Sequence, residues 1–187
     1  MKSSHQNKSI NWKKCRQPLV LKKVCAFMWQ AFLRRIPTKD NLLAKGVLRE
    51  ESQVICNFCG SCNESGDQLL LNCLIAWRLW SKCLRWWGFS YVMQGNLEQA
   101  FEQHFLTNKR RKGNGGWQVV WFAVVWTLWL YRNELLFKAI DANEEKLFTL
   151  VQTRLFLWLT GRAGQVDISF KDWTSSPREC AKKIKMG

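Results

Sequence analysis

Histidine and proline are scarce in this sequence. Two histidines and three prolines are spread over 187 residues. His5 and His104 are isolated, neither sits at the clustered cysteines in sequence, and each reads as a surface residue rather than a metal ligand or a base. With 47% hydrophobic residues and so few prolines, the composition is not that of a disordered chain. Acids are also few, 14 against 29 Lys and Arg. No nucleophile–base or carboxylate pair stands out, so an enzyme is the least expected class. No stretch of β-alternation and no internal repeat appears. The leading residues MKSSHQNKSINWKK hold no apolar core of a secretory signal, and a chain that is not secreted is expected. One apolar run, VVWFAVVWTLWLY from Val119 to Tyr131, is thirteen residues with no charge. A membrane span needs about 20, so the run is expected to be a buried core helix.

What is abundant is tryptophan, cysteine and positive charge. Twelve tryptophans supply large apolar area and are expected mostly in the core. The net charge is +15, and residues 1–50 hold twelve Lys/Arg against Asp40 and Glu50, a net +10. A basic front end favours a polyanionic partner, RNA or DNA. The expected phosphate contacts are Lys13, Lys14, Arg16, Lys22, Lys23, Arg34 and Arg35, assisted by Lys109, Arg110, Arg111 and Lys112. The last four also resemble a short nuclear-import cluster. Nucleus or cytoplasm is the expected compartment.

Helical periodicity recurs along the chain. Val20, Val24, Phe27 and Ala31 share a face after Pro18. Pro37 breaks that helix, and Thr38 opens a short second one that Gly46 stops. Trp77, Trp80, Leu84 and Trp87 share the apolar face of a third helix, with Arg78, Lys82 and Arg85 as a basic stripe. Asn96 is a cap for a helix through Phe105, and Asn143 caps a last one with Glu144 and Glu145 in its first turn. The expected fold is all-α or nearly so, a compact Trp-rich domain of five to six helices with a Cys-rich loop inserted after the second. The expected organisation is a basic lead at 1–17, a first domain at 18–107, a basic Gly-rich linker at 108–116, a helical pair at 117–161 packing on that domain, and a basic tail at 162–187.

The loop CNFCGSCNESGDQLLLNC holds four of the eight cysteines. A metal site, a disulfide loop and the remains of either are open readings. Without a secretory signal, clustered cysteines favour metal over disulfides.

The order of motifs resembles a known family. Lys23-Val24, Phe27 with Trp29, Ile36-Pro37-Thr38, and Leu43 before Lys45-Gly46 are followed by Cys56 and Cys59, then Glu64. Next come Gln68-Leu69-Leu70-Leu71-Asn72-Cys73, then Trp80 and Trp87-Gly88-Phe89. This order is similar to the zinc-binding domain that follows the polymerase in reverse transcriptases of plant non-LTR (LINE-type) retrotransposons. VWFAVVWTLWLYRNELLF, with Arg132-Asn133, resembles the tail such elements carry. The resemblance implies a zinc-knuckle-like loop and a non-catalytic module that binds zinc and nucleic acid, a truncated or stand-alone relic of a retroelement reverse transcriptase. The alternative is a metal-free helical interaction module with a decayed zinc site. No Tyr-x-Asp-Asp motif and no spaced acidic set of the RNase H kind is present. One position departs from the family pattern: its histidine is Gln68 here. The implied ligands are Cys56, Cys59 and Cys73, with Cys62 as the expected fourth thiolate in place of Gln68.

Overall fold

The computed structural model describes residues 15–49, 54–93, 95–109, 115–138, 142–161 and 167–184. Lys13, Lys14, Arg110, Arg111, Lys112 and His5, with the side chain of Lys109, lie outside the described residues, as do 162–166 and 185–187 of the tail. The described residues form α-helices, one π-helical turn and no strand beyond an isolated antiparallel bridge, Ile55 with Asn63. The fold is all-α.

In chain order the helices are α1 (Lys22–Phe32), α2 (Lys39–Ala44), the π turn (Gln68–Asn72), α3 (Leu74–Trp87), α4 (Leu97–Lys109), α5 (Gly115–Lys138), α6 (Glu144–Thr160), α7 (Phe170–Ser175) and α8 (Pro177–Lys183). α1 buries Val24, Phe27, Met28 and Ala31 on one face, with Lys22 and Lys23 exposed on the other. α3 buries Trp80, Leu84 and Trp87 and ends at Gly88, whose φ of 73° is the left-handed conformation that glycine takes without steric cost. Trp77 departs from the expected face and is 56% exposed. The basic stripe has partners here. Arg78 pairs with Glu144 at 2.7 Å and Lys82 pairs with Glu145, which tie α3 to the first turn of α6.

The apolar run forms the middle of α5, which is buried nearly all round from Trp117 to Tyr131. A helix apolar on every side needs partners on every side. α1 supplies Phe27, 5.3 Å from Trp126 between ring centroids, and Met28, whose Sδ accepts from Trp121 Nε1 at 3.3 Å. α3 supplies Trp80, 4.9 Å from Trp121, and α4 supplies Phe101, 5.4 Å from it. α6 lies along the same helix, and Arg154 donates to Thr127 at 2.7 Å. Each fully buried large side chain contributes roughly 1.5–3 kcal/mol, so this helix is the main source of stability. Among the described residues no helix is long and apolar enough to cross a membrane.

Two expectations change here. His104 is not a surface residue: it is fully buried and stacked on Trp117 at 4.3 Å. The described part of the tail folds into α7 and α8. Trp173 of α7 is fully buried and donates from Nε1 to Gln152 O at 2.9 Å.

Candidate metal centre

The sequence Cys56-Asn57-Phe58-Cys59-Gly60 closes on itself as a knuckle. Gly60 N–H donates to Cys56 O at 2.9 Å, and Cys56 N–H donates to Cys62 O at 2.8 Å. Gly60 has φ 62°, a conformation glycine adopts freely. The Ile55–Asn63 bridge closes the base of the loop. The chain then runs through the π turn to Cys73, which N-caps α3. This path brings three sulfurs together. Those of Cys56, Cys59 and Cys73 all lie within 4.8 Å of one another, and Cys56 and Cys73 are 4.0 Å apart. Tetrahedral donors at about 2.3 Å from a zinc ion stand about 3.8 Å from each other, so the spacing suits zinc.

Cys62 is not brought to this cluster. Its thiol is exposed. The turn at Gly60 uses the carbonyl of Cys62, not its side chain, to close the knuckle, and the thiol faces water. The place beside the three sulfurs is taken by Gln68. Its Nε2 is 3.4 Å from Cys59 Sγ, and its Oε1 is buried with no hydrogen-bond partner. A buried amide oxygen without a partner, on a side chain that touches Cys59, is a polar group that a cation would satisfy.

The thiols are electrostatically prepared for a cation. The hydrogen bond with Cys73 draws the Cys56 thiol down to about 5, aided by the backbone N–H groups of Cys59 and Phe58 and opposed by burial. Cys73 is pushed up, first by that same bond and then by burial, while the N–H groups of Ile75 and Ala76 at the start of α3 favour its thiolate. The hydrogen bond between the two sulfurs couples them, favouring the thiolate at Cys56 and the thiol at Cys73.

Residues 1–80 match the family described as zinc-binding in reverse transcriptase. The match supports a reverse-transcriptase zinc-binding domain over that stretch, and it includes Cys56, Cys59, Gln68 and Cys73. No curated protein and no solved structure matches the chain. The sulfur cluster lies inside the matched stretch. Among the basic residues expected to meet phosphate, Arg16, Lys22, Lys23, Arg34 and Arg35 are exposed. Lys23 Nζ sits 6.0 Å from the Trp126 ring and Arg34 lies 3.9 Å from Asp67.

Sequence reasoning missed what holds the loop. Glu64 is fully buried and accepts from Arg132 of α5, 68 residues away, and from Lys39 N–H at the start of α2. Glu64 and Arg132 both stand at positions of the family resemblance, but no linear pattern joins them.

Proposed function

We propose that this protein is a non-catalytic module that holds one zinc ion through Cys56, Cys59 and Cys73, with the Gln68 amide at the fourth corner, and that it meets RNA or DNA through its exposed cations. The observation that carries the reading is the convergence of three sulfurs within 4.8 Å inside a stretch matched to a zinc-binding family. Zinc here is structural: it takes no part in redox chemistry and crosslinks the knuckle to the start of α3. The motif order supports an origin in a LINE-type retroelement.

Zinc quantified by native mass spectrometry on the reduced, purified chain tests the reading. One zinc per chain is expected. Cys56→Ser and Cys73→Ser each abolish it. Cys62→Ser retains it, because that thiol lies outside the cluster. Gln68→His tightens binding by at least about tenfold, because imidazole is a far better zinc donor than an amide. A chain that takes up no zinc until Gln68 is replaced by His is instead a helical interaction module with a decayed site.

A further inference from the structure

We infer that Arg132 of α5, which lies 52 residues beyond the matched stretch, is the positioning residue of the metal loop. The inference rests on the zinc reading above, but its geometry stands apart from any metal. Arg132 Nε lies 3.1 and 3.2 Å from the two oxygens of Glu64, and Nη2 lies 2.5 Å from Oε1. Both side chains are buried, 5% and 0% exposed. Nη1 is held by Asn133 Oδ1 at 3.1 Å, and the guanidinium sits 5.2 Å from the Trp129 ring. Its orientation is therefore fixed before it meets the carboxylate.

Glu64 follows directly on the bridge that closes the knuckle. Its N–H donates to Val54 O at 2.8 Å and its carbonyl accepts from Asp40 N–H at 3.2 Å. Arg132 thus grips the base of the loop. The adjacent Tyr131 grips the tip: its ring stacks 6.3 Å from Phe58, which lies between Cys56 and Cys59 and whose N–H points at Cys56 Sγ at 3.4 Å. Consecutive residues of one rigid helix thereby set both ends of the knuckle. A buried ion pair is a poor source of net stability, because desolvation offsets its attraction, and what this one supplies is a forked, directional contact between α5 and the loop. The metal-binding unit is accordingly larger than residues 1–80 and includes α5.

The test is zinc affinity by chelator competition on the full chain, at a temperature where far-UV circular dichroism shows every variant folded. Arg132→Met and Glu64→Gln are each expected to weaken zinc by at least about tenfold. The double variant should be no weaker than the worse single, because both remove one interaction. Arg132→Lys restores part of the affinity, keeping the charge without the fork. Leu155→Ala, a buried change on α6, lowers the melting temperature but moves zinc affinity by less than about twofold. Maleimide labelling of the zinc-free chain gives a second readout. Arg132→Met should speed labelling of Cys56 and Cys73 while buried Cys83 stays protected. Wild-type affinity with protected thiols in Arg132→Met, or an equal loss in Leu155→Ala, overturns the inference. If wild type binds no zinc yet labelling responds as stated, the zinc reading fails and the positioning role stands.

Discussion

His104 is held by two neighbours thirteen residues to either side. Its Nε2 lies 2.8 Å from the carbonyl of Trp117 and so carries the proton, and its Nδ1 accepts from Tyr91 Oη at 3.1 Å. Burial draws its pKa down from 6.5 to about 3. The folded state therefore holds it neutral, while the unfolded chain protonates it below about 6.5. Between those values the unfolded state binds more protons, so stability is full above pH 6.5 and falls as the pH drops, by up to about 1.4 kcal/mol per pH unit. In zinc-free protein, His104→Gln should flatten the loss of melting temperature between pH 7 and pH 5, because an amide offers both hydrogen bonds and no charge. An unchanged slope would show that other groups set the acid sensitivity. A lone histidine in the sequence reads as a surface residue because both of its partners are distant. The same limit hid the orientation of Cys62: the resemblance implied Cys56, Cys59 and Cys73, whose sulfurs do lie together, but which way a thiol faces after Gly60 depends on a φ of 62° that spacing does not encode.

At the level of elements, the long patterns were legible, and a short one only where clear breaks framed it, as Pro37, Thr38 and Gly46 frame α2. Thirteen uncharged residues demanded a buried helix, and α5 is that helix. Asn96 and Asn143 were readable as caps because the side chain and its targets are local. Asn96 Oδ1 accepts from Glu98 N–H at 2.8 Å, and Asn143 Oδ1 from Lys146 N–H at 2.9 Å. α7 and α8 passed for tail, since six- and seven-residue helices show barely two turns of periodicity. Their signals were present in Ser169 three residues before Asp172 and in Ser176-Pro177, a helix-opening pair. The cap of α6 also orients the turn whose Glu144 and Glu145 meet Arg78 and Lys82 of α3. Asn143→Ala should cost about 1 kcal/mol, a fall of about 2–4 °C in melting temperature for a chain of this size, and Asn143→Asp should retain most of the wild-type stability. Thermal unfolding of the two variants reads the difference. An equal fall in Asn143→Asp would show that the side-chain cap is not what Asn143 contributes.

For the molecule as a whole, charge and core are separated along the chain. The first fifty residues carry twelve cations, and those described on the front face are largely left to solvent. Arg16, Lys22, Lys23 and Arg35 are exposed, and the 78% exposed side chain of Arg34 makes a long contact to Asp67. The core they flank is built by α5 and its tryptophans, and of these five cations Lys23 approaches it, at Trp126. Charge can therefore be removed here without unfolding the protein. Binding to RNA or DNA should be weak and tolerant of sequence, and its logarithm should fall linearly with the logarithm of salt, because each neutralised phosphate releases counterions. Replacing Lys22, Lys23, Arg34 and Arg35 together by Gln should weaken every sequence alike and reduce the salt slope by about 3 to 4 for a duplex, while the melting temperature stays near that of the wild type. Fluorescence anisotropy across a salt series reads both the affinity and its slope. Binding that is absent at low salt, or that keeps its slope in the fourfold variant, would remove the nucleic-acid role and leave the zinc knuckle as a clamp within a protein-binding module.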